Sequence, residues 1–190
     1  MRKFVALLFG IFIVACSRGL FWSEPRLALN GQLTTTATVC LYLPEKQINE
    51  AIKAVEDWDH SLRGWKHLVA VNAFGSDIFC GYTIREMNPP ENDSVVLAEA
   101  SMIGGHEIRL YRGRYEMDTK GIVMHELGHC LGAQHVSGTL MNPHWYKNAF
   151  RCPDQVTVAQ VAAFNQVNLG RLAWCWGASE YDGEANRPVD

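Results

Sequence analysis

Three imidazoles, one carboxylate and one glycine stand at the spacings of a catalytic metal site in His125-Glu126-Leu127-Gly128-His129-Cys130-Leu131-Gly132-Ala133-Gln134-His135, which reads H-E-x-x-H-x-x-G-x-x-H. On an α-helix, His125 and His129 are separated by about 40° around the axis and roughly 6 Å along it, so both rings can reach one ion. Glu126 stands about 100° round from His125, close enough to handle a water at the metal without being a ligand. Gly132 can take positive φ, end the helix and bring His135 to the same ion from another direction. Three nitrogen ligands leave a fourth position open, the arrangement of a catalytic rather than a structural zinc. Placing residues 120–131 on a wheel puts Lys120, Val123, Met124, Leu127, Cys130 and Leu131 on one arc and His125, Glu126 and His129 on the opposite one. The expected helix therefore has a core face and a metal face.

This segment resembles the active-site helix of the metzincin zinc endopeptidases, matrixin-like members above all. Ser137-Gly138-Thr139-Leu140-Met141-Asn142-Pro143 adds to the resemblance, because Leu140-Met141-x-Pro143 is similar to the methionine-containing turn those enzymes carry beneath the zinc. The resemblance implies Met141 as the Met-turn residue, one catalytic Zn2+ on His125, His129 and His135, and hydrolysis of peptide bonds by a metal-activated water with Glu126 as general base. Two rival readings are a metallohydrolase of cell-wall peptide amides and a non-catalytic binding lipoprotein that keeps the fold. The chain also departs from the family. Only five residues separate His135 from Met141, Val136 matches none of the residues that mark the better-known subfamilies, and Pro143 stands where some carry a tyrosine. No segment corresponds to the loop in which matrixins hold a structural zinc and calcium.

The N-terminus speaks to location. Met1-Arg2-Lys3 followed by an apolar run to Ala15 has the form of a bacterial export signal. Ile13-Val14-Ala15-Cys16 resembles a lipobox, which implies acylation of Cys16 and a membrane-anchored lipoprotein on the extracytoplasmic side; the alternative is a secreted soluble protein. Removing Cys16 leaves Cys40, Cys80, Cys130, Cys152 and Cys175, so one thiol should stay free. Cys130, on the buried arc of the metal helix, is the expected one. Four cysteines allow three connectivities; the expected pairing is Cys152 with Cys175 across the C-terminal helix, and Cys40 with Cys80.

The remaining chain must position this site. The expected segments are a signal peptide over 1–15, a lipidated N-terminus and linker over 16–33, a catalytic domain over 34–176 and a polar tail over 177–190. With 48% hydrophobic residues and a formal net charge of −3, the chain suits a globular enzyme with a peptide substrate, monomeric, with no surface for nucleic acid. Strands are expected at Thr36 to Leu43, Leu68 to Phe74, Tyr82 to Met87, Val95 to Ser101 and Glu107 to Tyr111. Ile48, Ile52, Val55, Trp58 and Leu62 recur at helical spacing, and a last helix is expected from Val156 to Leu172. The fold class is therefore α/β (α+β): a metzincin-like zincin domain with a five-stranded mixed sheet, a long crossover helix, the zinc-binding helix and a C-terminal helix. By the same resemblance, Val95 to Ser101 forms the antiparallel edge beside the cleft. His60 and His67 are expected on the surface, and His106 and His144 lack ligand spacing. Asn92-Asp93-Ser94 has the glycosylation pattern, unused in a bacterial-type exported protein. His144, Trp145 and Tyr146 are candidates to line the cleft, with Tyr146 a hypothetical transition-state donor.

Overall fold

The computed structural model describes residues 26–27, 33–63, 65–91, 95–101, 106–145 and 152–175. The export signal, Cys16, Asn92, Tyr146 and the polar tail lie outside them. A two-residue strand, β1 (Arg26–Leu27), pairs antiparallel with the start of β2 (Leu33–Tyr42). β2 begins earlier than its β-branched run suggests, because β1 and then β3 (Lys66–Asn72) supply hydrogen-bonding partners for the added residues. Between β2 and β3 runs the long helix α1 (Glu45–Ser61), which starts after Pro44 and closes with the Leu62 N–H donating to Trp58 O. Glu45 in its first turn and His60 in its last complement the helix dipole.

β4 (Tyr82–Met87) and β6 (Glu107–Tyr111) have the limits expected from the sequence. β5 is shorter than expected, Ala98–Ser101 instead of starting at Val95. The cause lies in its neighbour: β6 ends at Tyr111, whose N–H still reaches Leu97 O, and the Val96 carbonyl accepts instead from the Arg114 guanidinium. The main sheet is five-stranded and mixed, in the order β3-β2-β4-β6-β5, with β5 alone antiparallel among the five. The two-residue β1 is an addition to the expected set. The α/β class with a crossover helix is as expected.

One face of the sheet carries the core. Val39, Leu41, Leu68, Ile84, Ile108 and Leu110 are buried there together with Val55 and Trp58 of α1. The opposite face carries a charge ladder in which Glu107 bonds both Arg85 (2.9 Å) and Arg109 (2.9 Å), and Arg109 bonds Glu99 (3.0 Å). This alternation, broken at Glu86 and Tyr111, is what makes period two legible in β4 and β6. Helix α2 (Thr119–Cys130) packs against α1, β5 and β6. Besides apolar packing, the Trp58 indole N–H donates to Met124 O (2.9 Å), and Lys120 pairs with Asp57 (2.8 Å), joining it to α1.

Helix α3 (Gln155–Asn165) is shorter than the expected 156–172 span. Gln166 adopts left-handed φ of 57° and stops it, and a 3-10 turn at Leu169–Arg171 follows, capped by the Asn168 side chain. Both disulfides take the expected pairing, Cys40–Cys80 and Cys152–Cys175, and Cys130 is free and buried. Cys80 sits in the loop before β4. His60 and His67 are half-buried, not exposed; His67 Nδ1 lies 3.3 Å from the Asp59 carboxylate, which also accepts from Leu68 N–H. No described helix is long and apolar enough to cross a membrane.

Candidate metal centre

Helix α2 starts at Asp118, whose carboxylate accepts from the Gly121 N–H (3.1 Å) and so caps the first turn. The same side chain accepts from the Trp145 indole (3.1 Å), tying the segment after the Met141 turn to the front of the helix. Unlike the expected two-faced helix, α2 is buried on most sides. Ile122, Val123, Met124 and Leu127 are buried, and Glu126, on the opposite arc, is only 7% exposed. Glu126 is thus covered by β5, while His125 and His129 are half-buried and His135 is exposed.

Past Cys130 the chain turns as the glycine spacing requires. Gly132 has φ of 102°, the left-handed region, and an added Cβ would fall 2.2 Å from the Phe164 ring. The backbone carbonyls around this turn are in use: Gly128 O accepts from Ala133 N–H (2.9 Å), His129 O from Gly132 N–H (3.0 Å), Leu131 O from Asn165 Nδ2 (2.8 Å), and Ala133 O from His129 Nδ1 (3.0 Å). The Gln160 side chain accepts from Gln134 N–H (2.6 Å), which steadies the approach to His135. Residues of α3 therefore support the loop that carries the third histidine.

The three imidazoles converge. His125 and His129 Nε2 are 3.2 Å apart, His129 and His135 Nε2 3.0 Å, and His125 and His135 Nε2 3.3 Å. Their tautomers follow from their partners. His125 Nδ1 lies 2.9 Å from Leu140 O and His129 Nδ1 3.0 Å from Ala133 O; a carbonyl only accepts, so both Nδ1 atoms carry the proton. In the neutral rings the Nε2 atoms of His125 and His129 are then bare lone pairs facing one another, an arrangement that repels unless a cation lies between them. Four-coordinate zinc with bonds of about 2.0–2.1 Å holds its ligand nitrogens roughly 3.3 Å apart, which matches the spacing of the three atoms. Burial pushes the His125 imidazole down to about 4, and the two neighbouring imidazoles act in the same direction while the bond to Leu140 opposes them. Burial likewise lowers His129. Both shifts favour the neutral, metal-binding form.

Glu126 is held differently. Burial, and then the Glu99 carboxylate, push it up to about 8, while a hydrogen bond from the Ala100 backbone N–H pulls the other way. In this state the group is mostly the neutral acid at neutrality, and a nearby dication would favour its charged, proton-accepting form. Met141 is fully buried, its Sδ 2.5 Å from where a Gly128 Cβ would stand; only glycine lets the turn come so close beneath the helix. The turn itself is held by Val136 N–H donating to Met141 O (2.9 Å). Burial pushes Cys130, next to His129 in sequence, up to about 12, so it stays a packed thiol.

Of the residues singled out in the sequence, His125, His129 and His135 come together, with Met141 beneath and Glu126 buried on the same helix. Trp145 is tied to Asp118, and His144 is exposed. His106 sits in the left-handed region (φ 50°) with its ring beside Tyr82, away from the cluster. Asp118, Asp154, Gln160 and Asn165 were not foreseen as contributors. The signal available for Asp154 was the Asp154-x-x-Thr157 spacing of a helix cap.

No family model matches the chain, and no curated protein does. Among solved structures it is similar to myroilysin, at 15% identity and a TM-score of 0.37, over 53% of this chain and 49% of that one. It is also similar to high choriolytic enzyme 1, a hatching enzyme zinc-protease from the medaka fish Oryzias latipes, at 18% identity and a TM-score of 0.37, over 65% of each chain. The chain thus spans about half the length of myroilysin.

Proposed function

We propose that this chain is a zinc-dependent endopeptidase of the metzincin type. The observation that carries the reading is the convergence of three Nε2 atoms within 3.0–3.3 Å of one another, two of them fixed as acceptors by carbonyls on Nδ1. His125, His129 and His135 hold the ion; zinc bound there supplies Lewis-acid polarisation of a carbonyl and makes water more acidic. Glu126 accepts the proton of the attacking water on its carboxylate and passes it to the leaving amine. Its burial keeps bulk water away from that proton transfer.

The substrate is an extended peptide. Among the described residues β5 pairs as a strand only with β6, so an added antiparallel strand would lie along its outer edge, beside the Ala100 N–H that bonds Glu126. The test is Glu126→Gln in the exported protein, assayed on a quenched peptide library with zinc content measured on the same sample. The expected result is one retained zinc and turnover reduced by about 10²–10⁴; near-normal turnover rejects Glu126 as base. His129→Ala should lose zinc and activity together.

The export signal and the lipobox-like Cys16 support a second element of the reading. The mature chain is an acylated, membrane-anchored lipoprotein outside the cytoplasm, acting as a monomer on protein or peptide substrates.

A further inference from the structure

A buried carboxylate outside the histidine motif is wired into it. Asp154 is 7% exposed, and its two oxygens serve different parts of the molecule. Oδ1 accepts from Val156 N–H (3.0 Å) and Thr157 N–H (3.1 Å), the cap of α3. Oδ2 accepts from the Thr157 hydroxyl (2.7 Å) and, fourteen residues away in sequence, from Leu140 N–H (2.8 Å). Leu140 then directs its carbonyl at His125 Nδ1. One residue of the turn is therefore anchored through its N–H and orients an imidazole through its C=O.

The backbone of Asp154 is held in turn by the far end of the domain. Cys175 N–H donates to Pro153 O (2.9 Å), Asp154 and Cys175 form a single parallel bridge, and the Cys152–Cys175 disulfide closes the same junction. A partner on Nδ1 fixes the tautomer and aim of a ligating histidine and strengthens Nε2 as a donor to metal.

We propose that Asp154 is a positioning residue for the metal centre, holding His125 through Leu140, and that the Cys152–Cys175 disulfide keeps Asp154 in register. This rests on the reading of the three histidines as metal ligands. Asp154→Asn separates the two duties of the carboxylate. Its amide oxygen can still cap α3, but its NH₂ group can accept from neither Leu140 N–H nor the Thr157 hydroxyl. Thr157→Val is the control, since it removes a bond to Asp154 without touching Leu140.

The experiment measures zinc affinity of the full chain and its variants by competition with a chromophoric chelator, with thermal melting of the same samples. Asp154→Asn is expected to bind zinc about 10–100-fold more weakly. Thr157→Val should melt earlier with unchanged zinc affinity. The paired substitution Cys152→Ser with Cys175→Ser should also weaken zinc binding, and it carries the test if Asp154→Asn does not fold. Zinc affinity equal to the parent in Asp154→Asn, or in the double variant standing in for it, overturns the proposal. So does a Thr157→Val protein weakened as much as Asp154→Asn, because zinc would then follow the general integrity of α3. A folded parent that binds no stoichiometric zinc overturns the metal reading and this one with it.

Discussion

Gly132 meets two demands that no other residue satisfies together: positive φ and the absence of a Cβ where Phe164 packs. Gly132→Ala is expected to destabilise the fold by more than about 1 kcal/mol through the backbone alone, with the clash adding to it, and to loosen His135. Urea denaturation of the metal-free protein measures the first effect and zinc affinity the second. Replacing Phe164 by Ala alongside it should recover only the part owed to the ring, because the Cβ at 164 still lies 2.8 Å from the added methyl. Gly128 is the companion case. Alanine there would press on Met141 Sδ, and overpacking of this kind typically costs about 1–3 kcal/mol. Wild-type stability in Gly128→Ala would show that the turn can retreat from the helix.

At the scale of elements, α1 acts as the bed on which the metal helix lies. Trp58 reaches across to Met124 O, and the Asp57–Lys120 pair joins the two helices with side chains only 15% and 12% exposed. Breaking a fully buried pair costs about 3–5 kcal/mol, and one that grazes solvent costs less. Lys53–Glu50, on the outer side of α1, is 57% and 44% exposed, where such i,i+3 pairs contribute about 0.3–0.5 kcal/mol. Lys120→Met is therefore expected to lower the urea midpoint clearly more than Lys53→Met does. Equal midpoints would show that the inner pair does not join the helices energetically.

For the whole molecule, the two disulfides among the described residues suit the proposed place outside the cytoplasm. Closing loops of 40 and 23 residues restricts the unfolded chain, by about 3–4 kcal/mol for each bridge in the chain-entropy view. Reduction by a dithiol is expected to lower the melting temperature markedly, and to weaken zinc binding through the Cys152–Cys175 bridge. The Cys16→Ala protein should lose labelled fatty acid and leave the membrane fraction. Its unchanged fractionation, with no label on the parent, would overturn the lipoprotein reading.

The chemistry of the site was legible before the fold, because it is written in local spacing. His125, His129 and Gly132 follow from the helical repeat and from one backbone angle, and strands β4 and β6 from alternation that one buried face imposes. Cysteine parity left one thiol over, and burial on the metal helix chose Cys130. What local pattern could not decide depends on partners distant in the chain. β5 starts where β6 stops offering hydrogen bonds, and α3 ends at Gln166 rather than at the end of the apolar run. Glu126 is buried because β5 covers it, and Asp154 reaches Leu140 only once α3 docks under the turn. Spacing along one helix determines which side chains can meet an ion; the long-range contacts that set their tautomers, burial and aim exist only in the folded chain.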